Sequence, residues 1–222
     1  MNRGEMVAIV RGAIRRGVEK VSDETIVQAL NAGQMRVARL YNHEKMKQIW
    51  EASTMIGQDG RFYSLPAGTK DIVRLEVDER RADSLGVEEF GDERIALGTS
   101  SSVPRLYCWH GDYFEVAPVP DAAYVMMLWG FFYPSSLASD TAETLLTDFE
   151  WAICSDAASK IAGTSLGELE EAAAHDRAFK QQIVEAIEER GKQGKSRRGV
   201  MGGFDSGVRG TYDPTSPWAR RL

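Results

Sequence analysis

The stretch RLYCWHGDYFEV, residues 105 to 116, decides the reading of the middle of this chain. Apolar residues flank Gly111-Asp112, and that pair supplies the positive φ angles of a tight two-residue turn, so the stretch predicts a β-hairpin. On its N-terminal side, Asp71-Ile-Val-Arg-Leu-Glu-Val-Asp78 alternates as a half-buried strand should. On its C-terminal side, Ala123 to Phe132 predicts a further buried strand. Residues 49–133 as a whole are rich in Gly, Pro, Ser, aromatic and β-branched residues, and predict a small antiparallel β insert.

Outward from this insert the period changes. In residues 1–48, Met6, Ile9, Val10, Ala13 and Ile14 recur at helical spacing with arginines on the other side. Gly12 and Gly17 weaken that helix. Ser22 or Asp23 then caps a second helix whose apolar stripe is Ile26, Leu30, Gly33, Val37, Leu40 and Tyr41. In residues 134–190, Asp140 or Thr141 opens a helix with Leu145, Phe149, Ala152, Ile153, Ala157, Ile161 and Ala162 inward, and Gly163 ends it. Its alanines imply close helix–helix packing. A last helix, from about Leu166 to Arg190, turns Leu169, Ala172, Ala173, Phe179, Ile183 and Ile187 inward and carboxylates outward. The predicted fold class is therefore mainly α: a bundle of the N- and C-terminal helices, interrupted by the small antiparallel insert.

Residues 191–222 differ again. They hold seven glycines and seven basic residues against Asp205 and Asp213, a side-chain balance of +5. Such a composition cannot build a core of its own. Yet Phe204, Tyr212 and Trp218 stand at wide spacing, which suits an extended arm that anchors aromatic side chains in a partner. Arg197, Arg198, Arg209, Arg220 and Arg221 would meet an acidic partner surface, so these five and the three aromatics are the candidate partner-binding residues. The competing reading is a solvated tail.

The whole chain is 222 residues long, with 43% hydrophobic and 27% charged residues and a formal net charge of -6. That balance draws the molecule as a whole neither to nucleic acid nor to an anionic membrane. Two cysteines, Cys108 and Cys154, give no disulfide framework and point to synthesis in a reducing cytoplasm. The N-terminal apolar positions are broken by Arg11, Arg15 and Arg16, against a cleaved signal. The longest apolar run, Ala122 to Tyr133, is too short to span a bilayer.

Catalytic chemistry finds no foothold. The three histidines, His43, His110 and His175, fall in three different regions. Cys108 and His110 share a strand face and could share a metal, but zinc would need two further ligands. Nucleotide-binding glycine loops and a nucleophile elbow are missing from the sequence. Glu168, Glu170, Glu171, Glu185, Glu188 and Glu189 form a solvated helix face, and Trp129, Phe131, Phe132 and Tyr133 suit a core or subunit interface. The expectation is a non-enzyme without catalytic residues, metal or cofactor.

The order of features over residues 22–190 carries a resemblance. Two N-terminal helices end in Trp50, followed by Thr54, Gly60, Tyr63, Leu65 and Pro66, and a strand at Ile72-Val-Arg-Leu75. Then come Pro104, Tyr107, the hairpin, Pro118-Val-Pro-Asp121, Tyr124, Tyr133-Pro134, Leu137, Asp140 and the alanine-rich helix. This order resembles the head-to-tail adaptor (connector, or head-completion) proteins of tailed bacteriophages. The resemblance implies a homo-oligomeric ring of about twelve copies, closed by heterologous contacts. It also implies binding beneath the portal protein, with a tail nozzle or other tail protein below and genomic DNA passing through the lumen without specific contact. The C-terminal arm would be the portal-docking element, and the location the head–tail junction of the virion, with no membrane involved. The alternatives are a tail-completion or tail-terminator protein, and a ligand-binding or enzymatic module that uses the β insert around Cys108, His110, Asp112 and Tyr124.

Overall fold

A computed structural model describes residues 1–14 and 18–198 of the chain. They divide into two compact units, one from residues 1–40 together with those from 136 on, the other Tyr41–Ser135.

The first unit is helical. α1 (Arg3–Ala13) is opened by Asn2, whose side chain accepts from the Glu5 N–H while the Glu5 carboxylate accepts from the Asn2 N–H, a reciprocal capping box. α2 (Asp23–Leu40) is opened by Ser22, whose Oγ accepts from the Thr25 N–H at 3.2 Å. The expected stripe of α2 is buried at Ile26, Leu30, Gly33 and Val37, but Leu40 is half exposed at the helix end.

The expected helix start at Asp140 or Thr141 does not form. α4 occupies Glu150–Lys160, behind a 3-10 turn at Thr147–Phe149. The chain before it is tied to the N-terminus instead. Arg3 N–H donates to the Ala142 carbonyl (2.8 Å), Gly4 N–H to that of Asp140 (3.1 Å), and the Arg3 guanidinium to that of Ala138 (2.9 Å). These long-range bonds occupy the acceptors that a helix over 138–142 would need for itself. Gly163 does not end the helix either. A π-helical turn, Ile161–Leu166, carries it on to Gly167, whose left-handed φ of 72° stops it. α5 runs Leu169–Arg198, with Phe179, Ile183 and Ala186 buried and Leu169 exposed.

The second unit overturns the mainly-α expectation. It is a seven-stranded mixed half-barrel, not a small antiparallel insert. Its strands are β1 (Lys47–Ser53), β2 (Phe62–Ser64), β3 (Thr69–Val77), β4 (Arg80–Ser84), β5 (Leu106–Trp109), β6 (Tyr113–Ala117) and β7 (Val125–Phe132). Their order is β1-β7-β3-β4-β5-β6-β2, antiparallel except where β4 meets β5. A further helix, α3 (Val87–Leu97), joins β4 to β5. Trp50 thus belongs to a strand, opposite Leu128, and does not end a helix. The hairpin of β5 and β6 pairs Leu106 with Ala117 and Trp109 with Phe114. Of its turn pair, Gly111 carries a positive φ (83°) and Asp112 does not.

The core of this unit is apolar and aromatic: Tyr63, Leu75, Val77, Tyr107, Phe114, Val116, Met126, Leu128 and Phe132. Phe132 therefore faces the core, while its neighbours Trp129 and Phe131 lie half-buried on the opposite sheet face.

Candidate partner-binding surfaces

Of the polar groups that an enzymatic reading of the β unit would use, Cys108 and His110 both lie near Glu115, and Tyr124 is bound to Asp121. Cys108 is free and buried, and burial followed by the Glu115 charge pushes its thiol pKa up. His110 stacks on Tyr113 with ring centroids 4.9 Å apart, and its Nε2 lies 3.6 Å from a Glu115 oxygen. Tyr124 donates to Asp121 at 2.6 Å, and the Asp112 carbonyl accepts the Leu65 N–H at 2.9 Å. His43 caps a 3-10 turn by accepting from the Lys45 N–H, and His175 sits 3.8 Å from Glu171 on α5. Among the described residues no three His, Cys, Asp or Glu side chains gather as metal donors.

The helical unit is stitched by charge. Asp156 on α4 is fully buried and pairs with Arg36 of α2 and, at 2.6 Å, with Lys160. Arg36 reaches on to Asp176 of α5 (3.2 Å) and lies over the Phe179 ring (4.2 Å). Burial acts against the Arg36 charge, but the Asp156 and Asp176 bonds outweigh it and raise its pKa. Asp176 is held below the usual carboxylate range by Lys180 first and Arg36 second. α2 can approach this closely because Gly33 lies against α4: a Cβ there would stand 3.0 Å from the Ile153 carbonyl and 3.2 Å from an Asp156 oxygen. Cys154, also free and buried, has its thiol pushed up to about 12 by burial and by Glu150.

The candidate binding residues belong to the end of this unit. α5 pairs with the chain before α4 through Arg190 and Asp148, and its helical backbone continues for two further turns to Arg198. Arg197 and Arg198 thus lie on the last turn of α5, so the first eight residues of the expected extended arm are helical. Phe204, Arg209, Tyr212, Trp218, Arg220 and Arg221 lie outside the described residues.

Across both units, residues 1–203 match the family model of the SU10 adaptor protein. The chain belongs to the SU10 adaptor protein family. It is thus a phage head–tail adaptor, a structural protein of the virion that interacts with other head and tail proteins. No curated protein matches it. The family match ends at residue 203, so the five candidate residues from Arg209 to Arg221, and Phe204, lie beyond it. Among the described residues, no helix of this adaptor is long and apolar enough to cross a membrane.

Three further features of the adaptor are not legible in its sequence. On one sheet face, Trp129 is flanked by Lys47 (5.6 Å) and the Arg74 guanidinium (4.3 Å), a cation–π arrangement set by cross-strand register. Glu115, buried on β6, is held by Arg61, with Arg94 at 3.7 Å. Residue order alone reveals neither, because strand pairing brings together the first set, and a 3-10 turn and α3 bring Arg61 and Arg94 to Glu115. The third is α3, which buries only Phe90.

Proposed function

We propose that copies of this adaptor form a closed ring between the portal and the tail of the particle, and that DNA passes through its lumen. What carries the reading is the family match over residues 1–203. Physical reasons accompany it. A ring of about twelve copies needs two unlike lateral faces on each subunit, because heterologous contacts close a ring. The formal net charge of -6 suits a lumen that must release DNA, since a basic lining would grip the phosphates.

The C-terminal arm is the docking element in this reading. Two helical turns of backbone follow the Arg190–Asp148 pair at its root, and Tyr212 and Trp218 stand next to Asp213-Pro214 and Pro217 in the sequence. Proline pre-sets an extended backbone and lowers the entropy lost on docking. A buried indole contributes on the order of 2 kcal/mol per subunit, and a ring multiplies it.

The test is to delete residues 204 to 222, or to make Trp218→Ala, and follow co-sedimentation with portal-containing heads. The expected outcome is unchanged thermal unfolding with lost attachment. Full binding by the truncated chain would sink the docking arm. Native mass of the full chain, alone and with portal, reads the ring number and tests the ring itself.

A further inference from the structure

α3 is an unusual element for a helix of eleven residues. A helix this short is marginal in water without tertiary packing. Its single buried side chain is Phe90, whereas Val87 and Ile95 are 61% and 74% exposed. Gly91 stands between them, and Val87, Gly91 and Ile95 follow one another at intervals of four, so they line one stripe. A glycine inside a helix is unfavourable relative to alanine. Inside this chain nothing requires it: a Cβ at Gly91 would meet nothing within 4 Å. The stripe is therefore a notch with apolar walls, open to whatever lies outside the chain.

Glu88 and Asp92 run alongside the notch. The other flank is formed by Phe90 and by Arg94, which is turned to Glu115, while Glu89 and Glu93 line, with Asp83 and Arg105, an open groove of about 330 Å³ on the opposite side of the helix. A partner that fits must pair cations with Glu88 and Asp92 and lay apolar groups on Val87 and Ile95.

The chain carries such a segment. Residues 192–204 read KQGKSRRGVMGGF: Lys192, Lys195, Arg197 and Arg198 with no acidic residue, then Val200, Met201 and Phe204. We infer that the α3 notch of one adaptor receives residues 192–204 of a neighbouring copy, with the cations over Glu88 and Asp92 and the apolar residues across Gly91. The contact rests on the ring proposed above, which sets copies side by side. The distal arm, with Tyr212 and Trp218, is left free for the portal or tail.

Disulfide trapping tests it. Virions are built with the Ile95→Cys/Met201→Cys double variant, oxidised, and run on a denaturing gel without reductant. The native Cys108 and Cys154 are buried and stay out of the exchange. A ladder of covalently joined chains is expected, and each single variant should stop at dimers or below. Absence of the ladder, or a disulfide closed within one chain, overturns the inference. If the double variant does not enter particles, Gly91→Gln decides. It should leave the thermal midpoint unchanged or raised, because glutamine favours helix, while lowering adaptor occupancy about tenfold or more. Normal occupancy overturns the contact. Charge reversal gives a third reading: loss of occupancy in Glu88→Lys/Asp92→Lys should be restored by Arg197→Glu/Arg198→Glu in the same chain, and lack of rescue counts against the pairing. A ring seen by native mass without the ladder leaves the ring standing and sinks this contact. A ladder without a ring does the reverse.

Discussion

Both units bury apolar side chains, but they differ in where a buried charge sits relative to the packing. In the sheet unit, side chains from all seven strands meet at an apolar core, with Phe114 fully buried and stacked on Tyr63 at 5.4 Å. In the helical unit, the junction of α2, α4 and α5 centres on the buried carboxylate of Asp156, answered by Arg36 and Lys160. Strand pairing fixes the register of the sheet through its backbone bonds, so its buried carboxylate, Glu115, sits beside the apolar core and not at the junction of its elements. Three helices lying against one another can slide or rotate, and a buried charge pair penalises any register that leaves it unmatched. The helical unit also uses small residues, Gly33 against α4 and Ala152, Ala157, Ala158 and Ala162 within it, to bring the backbones near.

The contrast breaks first at its apolar side. Phe114→Ala should cost about 3–5 kcal/mol, insensitive to salt, and should lower the unfolding transition of the sheet unit. Scanning calorimetry reads it, and a loss below 1 kcal/mol would mean the core collapses around the gap. On the charged side, Asp156→Ala should cost about 2–3 kcal/mol, less than a fully buried pair, because Arg36 and Lys160 are each 38% exposed and regain water. Denaturant unfolding measures it. Asp156→Leu would sharpen the comparison, since recovery of stability would show that the charge supplies register and not net stability.

A smaller effect is expected at Gly33. Gly33→Ala places a methyl group at 3.0 Å from the Ile153 carbonyl and should cost about 1–2 kcal/mol by pushing α2 from α4. An unchanged thermal midpoint would show that the helices can part freely. The smallest is the acid response. Asp176 has a depressed pKa, so its contribution is fully present above the unfolded carboxylate value of about 4 and is lost as pH falls through the folded value. The helical unit should therefore weaken below about pH 4, and Asp176→Asn should flatten that part of the pH profile.

The same contrast explains what the sequence allowed to be seen. The strand at 71–78 is legible because its alternation marks one buried face, and the hairpin at 105–116 because Gly111-Asp112 marks its turn between two apolar runs. β4, Arg-Arg-Ala-Asp-Ser, offers one apolar residue in five and reads as loop; its place is fixed by pairing with β3 and β5. With β4 and the three-residue β2 unseen, the sheet looked like a small insert in a mainly helical protein. α3 escaped because a helix with a single buried anchor has no period to detect. The start of α4 was misplaced because the acceptors of 138–142 are taken by Arg3 and Gly4, a competition between residues far apart in the chain. For the candidate site, composition points to the arm, whereas the empty space above Gly91 is a product of the fold that residue order does not carry.

The interruption of the helical unit by residues 41–135 also has a consequence for synthesis. α1 and α2 leave the ribosome first, but α4 and α5, which cover them, come after the entire sheet unit. The sheet unit is contiguous, so it can close on itself while α2 still shows Ile26, Leu30 and Val37 to solvent. At ordinary elongation rates, the roughly 55 residues from 136 to 190 take about 3–11 s to translate. For that interval the nascent adaptor carries an unpaired apolar helix pair, a target for chaperones or for a second nascent chain.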